Sequence, residues 1–519
     1  MKEVALAVEM KEIVKVYPNG VVANRGVDFS VEEGEIHALV GENGAGKTTL
    51  MKILFGMEQP TSGQIKIFGK DVRIHSPHDA ITLGIGMVHQ HFMLVPSLTV
   101  AENVILGIEP RRGWSIDREK ARKMVEEASE KFGLPIPPDE VVRDLPVGIK
   151  QRVEIVKALI RGAKILILDE PTAVLTPQET EELFESLRNL TEKGVTIIFI
   201  SHKLKEVKAI SHRLTILRDG RHMGTFVTDE ITEEEISKRM VGREVELVIE
   251  RPEPKPGEVV LRVEELGYVR DDGVRMLNGV SFSLRSGEIL GVAGVEGNGQ
   301  RELVEILTGL RSGATGSVKL HGEEILGLDA YGIRRRSVSH IPEDRVEFGV
   351  ALKAPIWENV VSDRYWKPPF GGKIRIFPKV MKAFTAKAIE EFSIKADNPD
   401  TPVMMLSGGN MQKVVVAREF TSNAKLLIAD QPTRGIDVGS TEFVRKKLIE
   451  ARDSGLAILL VSADLQEILQ LSDRIVVMYK GEIVGYFPQN RGLTEEELGY
   501  YMLGVKRHEP SRLKEAIVA

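Results

Sequence analysis

The segment Gly41-Glu42-Asn43-Gly44-Ala45-Gly46-Lys47-Thr48, with Thr49 behind it, fits the spacing G-x-x-x-x-G-K-[ST]. The chemistry open to such a segment is specific. Glycines let backbone N–H groups turn inward around phosphate oxygens, and a helix that starts there adds its positive dipole end. Lys47 reaches the outer phosphates, and the Thr48 hydroxyl is placed to sit on Mg²⁺. An apolar run at 36–40 reads as the strand before the loop, and 49–55 reads as the helix after it.

A second apolar run, 164–168, ends in Asp169-Glu170-Pro171. A hydrophobic strand that delivers an aspartate to its C-terminal end is how a phosphate-loop site holds Mg²⁺. Glu170 beside it is placed to orient or deprotonate an attacking water, a role worth roughly 10²–10⁴-fold in rate. His202 follows the apolar run 195–201 and reads as a γ-phosphate contact; the plainer reading of a lone histidine is structural. Gln90, within 87–96, offers an amide to Mg²⁺ or to water, or is an ordinary loop amide. Tyr17 is an aromatic able to stack on adenine or to pack. The ligands implied are ATP and Mg²⁺.

These residues need a scaffold, and the composition bounds it. The chain has 519 residues, too many for one ordinary core. It is 42% hydrophobic and 28% charged, with a net charge of −6, so nothing global argues for nucleic-acid binding. It has no cysteine, which excludes disulfides, cysteine zinc sites and thiol chemistry. The first ten residues are broken by Glu3 and Glu9 and make a poor signal peptide. No run approaches the ~18 apolar residues that span a bilayer. The expectation is a cytosolic protein whose membrane role, if any, comes through a partner.

The chain repeats itself. Gly34-Glu35-Ile36 recurs as Gly287-Glu288-Ile289, and Gly41 as Gly294, both 253 residues on. Gln90 maps to Glu343 at the same offset, while Gly148 maps to Gly409 and Asp169 to Asp430 at 261. Such shared offsets argue for duplication of a domain of about 250 residues, not for a solenoid. Strand-like and helix-like stretches alternate in each copy, which predicts an α/β fold with a largely parallel sheet. The copies differ in length between Gln90 and Gly148, where 117–128 and 379–390 look helical. The expected organisation is a first domain at 1–245 with a helical insertion at about 92–145, and a Pro-rich linker at 246–258. A second domain follows at 259–507 with an insertion at about 346–405, then a tail at 508–519.

The order of the phosphate loop, Gln90, a signature-like segment, Asp169-Glu170 and His202 resembles that of ABC transporter ATPases. The second copy carries Leu406-Ser-Gly-Gly-Asn-Met-Gln-Lys413, a close match to the ABC signature. Tandem copies with Gly-Asn-Gly-Gln in the second resemble ribose- and galactose-type importers. The run Met87-Val-His-Gln-His-Phe-Met-Leu-Val95 looks more like their nucleoside-import branch. The resemblance implies two tandem P-loop domains, each with a mixed or parallel sheet core and a helical insertion.

The resemblance also implies unequal sites. In the second copy the lysine and hydroxyl have become Gln300 and Arg301, Glu170 has become Gln431, and His202 has become Ala463; Asp430 is kept. In the first copy the signature serine has become Pro146, leaving Gly148. ABC ATPase domains pair head to tail. One complete site would then combine Lys47, Thr48, Gln90, Asp169, Glu170 and His202 with Ser407, Gly408, Gly409, Asn410 and the D-loop Asp437. The other site would collect every defect. Implied partners are two membrane permease subunits, identical or different, docking near 91–96 and 345–350, and indirectly an extracytoplasmic solute-binding protein. The chain would then lie peripherally on the cytoplasmic face of the cell membrane. A tandem ABC ATPase acting on ribosomes or DNA without a membrane partner is the alternative; the short linker and the absent cysteines speak against it.

Overall fold

A computed structural model describes residues 5–18, 20–89, 92–113, 115–172, 175, 177–201, 203–242, 251–295, 297–372, 374–489 and 492–518. The chain divides into two compact units, Met1–Val245 and Glu246–Ala519. Both are α/β.

Among the described residues, the first unit is built on a six-stranded sheet. Its order is Arg221–Val227, Arg213–Arg218, Ile36–Gly41, Thr196–Ile200, Ile165–Asp169, Ile85–Val88. All neighbours run parallel except the edge hairpin of the first two. The central strands Ile36–Gly41, Ile165–Asp169 and Thr196–Ile200 are buried along their whole length, as strands covered on both faces must be. Alternation still sorts their side chains. Ile165, Ile167, Ile198 and Ile200 join the core on one face, with Leu50, Met51 and Phe29. Leu166, Leu168, Ile197 and Phe199 join the core on the other, with Val153, Ile155 and Phe184. Each such side chain, fully buried, contributes about 1.5–3 kcal/mol.

A largely parallel sheet is the sequence expectation, and the first core face shows what it leaves out. A separate four-stranded antiparallel sheet, ordered Val22–Glu32, Leu6–Val16, Ser62–Ile67, Lys70–Val72, closes that face. Its long strand runs unbroken but shifts register around Glu12, which takes a positive φ of 51°.

In the segment where the copies differ in length lie the helices Val100–Ile105 and Arg118–Phe132. The first is set by a capping box between Thr99 and Glu102, the second by Asp117, which accepts the Lys120 N–H. The second unit repeats the plan, with Ile356–Val361 and Pro378–Glu391 in that segment. Its large sheet is ordered Val338–Ile341, Leu426–Asp430, Ala457–Ser462, Ile289–Ala293, Arg474–Tyr479, Glu482–Phe487.

Two further features belong to the second unit. Residues 251 and 252 are fastened to it: Arg251 Nη1 donates to Ser472 O at 2.6 Å, and Arg452 Nη2 donates to Pro252 O at 2.9 Å. The residues beyond 508 form the helix Pro510–Val518, which packs on Arg275–Arg285 and Glu482–Phe487. Ala516 is buried there, and Ser283 Oγ donates to its carbonyl oxygen at 3.3 Å. The corresponding face of the first unit is an open groove lined by Glu9, Lys11, Asp28, Ser30, His222 and Thr225. No described helix is long and apolar enough to cross a membrane.

Candidate functional site

The parallel sheet of the first unit brings its chemistry to one edge. Strand Ile36–Gly41 ends at the glycine loop, and Ile165–Asp169 ends at its aspartate. Thr196–Ile200 lies between them, with Ile200 in register with Leu39 on one side and Asp169 on the other. A crevice outside the carboxyl ends of such strands is where α/β sheets bind ligands.

The loop passes directly into helix Lys47–Leu54. Gly46, at its N-cap, has φ 95°. A Cβ there would meet the Ala23 carbonyl oxygen at 2.4 Å, so only glycine lets the loop pass. Lys47 is 5% exposed and lies inside the loop. Its Nζ donates to Gly41 O at 2.6 Å and to Glu42 O at 3.1 Å. Burial pushes the ammonium below its ordinary pKa, against the pull of Glu170, Asp169 and Glu42. Ala45 is buried, whereas Asn43, Gly44 and Thr48 are exposed at the loop's surface. Tyr17 reaches the start of the same helix, its hydroxyl 3.4 Å from Thr49 Oγ1.

Asp169 is 8% exposed. Burial pushes its pKa up to about 6, with Glu170 adding to the rise and Lys47 opposing it. Glu170 follows in a left-handed conformation, φ 47°, its N–H donating to Ile200 O at 3.0 Å. Such a conformation in a non-glycine residue is costly and is held by its surroundings. Asp169 and the Thr48 hydroxyl are hard oxygen donors of the kind magnesium takes alongside substrate phosphates and water. No cluster of three His, Asp or Glu side chains among the described residues could hold a metal by itself. The pair of oxygen donors fits an ion that is shared with phosphate. Gln90 and His202 lie outside the described residues.

Two supports for this site have no local signal in the sequence. Asn24, buried in the antiparallel sheet, donates Nδ2 to Gly46 O at 3.2 Å. Glu154, on helix Val147–Ile160, accepts the Met93 N–H at 2.5 Å, and Lys157 donates to Met93 O at 3.0 Å. All three bonds join residues at least 22 positions apart in the chain.

The second unit has the same scaffold and different chemistry. Gln300 Nε2 donates to Val295 O at 3.2 Å, as Lys47 does to Glu42 O, and so occupies the lysine's place without its charge. Arg301 is turned to Glu305, at 3.0 Å. Arg345 donates to the backbone carbonyls of 434 and 435. Gln431 repeats the left-handed conformation, φ 48°, and its Oε1 accepts the Ala463 N–H at 3.2 Å. Burial pushes Asp430 up to about 7; Arg301 opposes the rise and Glu305 adds to it.

The two signature segments differ in the opposite sense. Ser407 caps helix Gly408–Phe420, and its Oγ accepts from Asn410 Nδ2 at 2.8 Å. Asp437 caps helix Val438–Asp453 by accepting the Ser440 N–H at 2.7 Å. Gly409 lies where the helix starts meet: a Cβ there would stand 2.3 Å from Ser440 Oγ and 2.4 Å from Asp437 Oδ2. In the first unit Pro146 begins helix Val147–Ile160 without a side-chain cap. The neighbour of Gly148 there is a carboxylate, Glu179, whose Oε1 would lie 3.0 Å from a Cβ on that glycine.

The family model described as ABC transporter matches residues 24–173 and 277–434. The chain is 46% identical over 506 residues to the guanosine import ATP-binding protein NupO of Bacillus subtilis, covering 97% of this chain and 99% of that protein. It is 45% identical over 483 residues to the nucleoside import ATP-binding protein NupA of Lactococcus lactis, covering 93% and 95%. It is 42% identical over 525 residues to the glucose import ATP-binding protein TsgD13 of Haloferax volcanii, covering 95% of each. Among solved structures, that of an archaeal ribosome recycling factor, aABCE1, with ribosomal stalk protein aP1 matches with TM-score 0.60 at 20% identity, over 96% of this chain and 94% of that one. That likeness is one of fold.

Proposed function

The chain belongs to the ABC transporter family and is an ATPase, and from that premise we propose that it is the ATP-hydrolysing subunit of an importer for nucleosides, with simple sugars as the second reading. The relatives named for nucleoside and guanosine import favour the first cargo, and the glucose-import relative keeps the second in play. Two permease subunits, identical or different, would carry the solute, and an extracytoplasmic binding protein would deliver it. Exposed apolar residues on the segments expected to meet them support this: Met93 and Val95 in the first unit, Val346 and Phe348 in the second. The chain would lie peripherally at the cytoplasmic face of the cell membrane.

In this reading one ATP per chain is hydrolysed, at a site formed by the first unit's loop and the second unit's signature. The observation that carries it is the segregation of parts. Lys47, Asp169 and Glu170 share one sheet edge, and the capped serine is on the other copy. Lys47, desolvated within its loop, makes a strong charge-assisted contact to phosphate. Asp169 and Thr48 would hold Mg²⁺, which when bound offsets charge building on the phosphate oxygens. Glu170 leaves the buried strand in a left-handed conformation and would there orient or deprotonate the attacking water. Gln90 and His202, as the sequence suggests, would complete the contacts to magnesium, water and the γ-phosphate. Ser407, Gly408, Gly409, Asn410 and Asp437 would close on the same nucleotide, and Tyr17 would stack on its adenine.

The opposing site would have Gln300 and Gln431 facing Pro146. Glu179 stands beside Gly148 at the place where Ser440 stands beside Gly409, so the first signature carries a carboxylate in place of a hydroxyl. The test is uptake of labelled guanosine and of ribose by vesicles carrying the chain with its neighbouring permeases. ATP-dependent uptake of neither solute would refute the importer reading.

A further inference from the structure

One arginine of the second unit ties together elements that sequence reading treats separately. Arg345 opens the short turn Arg345–Gly349, just past strand Val338–Ile341. Its Nη1 donates to Arg434 O at 2.9 Å, and its Nη2 donates to Gly435 O at 3.0 Å. The same guanidinium lies against the start of the signature helix: a Cβ on Gly408 would stand 2.8 Å from Nη2. A second tie runs alongside, an ion pair between Arg434 and Glu343. Residues 343–345 are thereby fastened to 434–435, immediately ahead of Asp437. Asp437 in turn crowds Gly409.

A forked guanidinium suits this place. Its two Nη groups each take one of two successive carbonyls, so the fork fixes the direction of both bonds, which a freely rotating ammonium does not. Asp344 holds the turn in place by accepting the Val346 and Glu347 N–H groups at 2.8 and 3.0 Å. Beyond Asp344 the turn presents Val346 and Phe348 to solvent, 46% and 57% exposed. The first copy has Gln90, His91 and Phe92 after its strand, and Ala173 and Val174 at the places of Arg434 and Gly435. Its sequence offers no such pairing of charges. The brace therefore belongs to the copy that keeps an intact signature and has lost its own phosphate-binding lysine.

We infer that Arg345, steadied by the Glu343–Arg434 pair, is a positioning residue for hydrolysis in the first unit. It sets the Ser407–Gly409 segment and Asp437 in the arrangement that closes on ATP. This rests on the proposal that the second signature completes the first unit's site. A misplacement of about 1 Å at such a distance from the chemistry lowers turnover by up to roughly a hundredfold.

The test is steady-state ATP hydrolysis by the purified full chain. Arg345→Ala is expected to lower kcat about tenfold or more while KM for ATP is unchanged, because the phosphate contacts on the first unit are intact. Arg345→Lys recovers only part of the loss. Glu343→Arg and Arg434→Glu each lower kcat, and the double variant, with the pair reversed, restores it. Ser407→Ala is measured in parallel. Full activity in Arg345→Ala alongside a loss in Ser407→Ala would overturn the brace and leave the composite site standing. Full activity in Ser407→Ala would remove the composite site, and the brace with it. A lowered melting temperature with no recovery of kcat in the reversed pair would reduce the ties to structural ones and refute the proposal.

Discussion

Asn24 donates its side-chain amide to the carbonyl oxygen of Gly46 at 3.2 Å, from a strand of one sheet to the phosphate loop of the other. The second copy has Leu277 at that place. The bond pins the last turn of the loop before Lys47. Asn24→Leu should therefore loosen the loop and raise Kd for ATP. A net hydrogen bond is worth about 1 kcal/mol, or about fivefold in affinity. Titration with a fluorescent ATP analogue measures it, and an unchanged affinity would show that the loop holds its shape without Asn24.

The left-handed backbone is common to Glu170 and Gln431, so the two positions differ in chemistry and not in placement. Glu170→Gln should cut ATP turnover by roughly 10²–10⁴-fold and leave ATP binding in place. Gln431→Ala should change turnover little. Single-turnover hydrolysis with both variants decides between one working site and two; equal losses would rule out the asymmetric model.

The signature helices make a second contrast. Loss of the cap in Ser407→Ala should cost about 1 kcal/mol of local stability and lower turnover. Pro146→Ser restores a cap on the first signature, yet Gln300 and Gln431 would still face it. It should raise the melting temperature without raising ATPase activity. A gain in activity would mean that the second phosphate loop is competent.

Acid should destabilise the second unit in two steps. His340 is pushed down to about 4 by burial and by Arg334 and Arg418, with Glu419 opposing. Between that value and its ordinary 6.5 the unfolded chain holds a proton that the folded one lacks. Stability is therefore full above that window and falls with pH through it. Glu419 is held down at about 2 by Arg418 and Arg334 against its burial, so its contribution is present above 4.5 and lost below it. His340→Met, which copies Met87 of the first unit, should remove the first step only. Melting temperatures compared between about pH 7 and about pH 5 should fall less in the variant than in the parent.

The phosphate loop and Asp169-Glu170 were legible because their meaning is local: a fixed spacing follows an apolar strand. The duplication was legible because the offset holds at 253 up to Gln90 and at 261 from Gly148 to Asp169. The antiparallel sheet was not. Alternation marks pieces of it, with Val27, Phe29 and Val31 buried between Asp28, Ser30 and Glu32, but its register shifts around Glu12 and nothing local tells that these strands leave the parallel sheet. Asn24 was not legible either, since a buried asparagine has no motif and its partner is 22 residues away. Arg345 was visible only as the first residue of the expected docking segment 345–350. Its actual partners, the carbonyls of residues 434 and 435, are 89 and 90 residues on, beyond the reach of any local pattern.

The contact between Ser283 and Ala516 spans 233 residues. Its consequence lies in how the protein is made. The first unit can bury its strands as they leave the ribosome, because the equivalent face carries Ser30, Thr225 and charged neighbours and can remain wet. The second unit cannot finish until helix Pro510–Val518 arrives, long after strand Arg275–Arg285 has been synthesised. Until then the edge around Tyr486 waits uncovered, a partly folded state of the kind that chaperones hold and proteases find. The half that carries the serine-capped signature is thus the later to close, and the first unit's phosphate loop is formed before it.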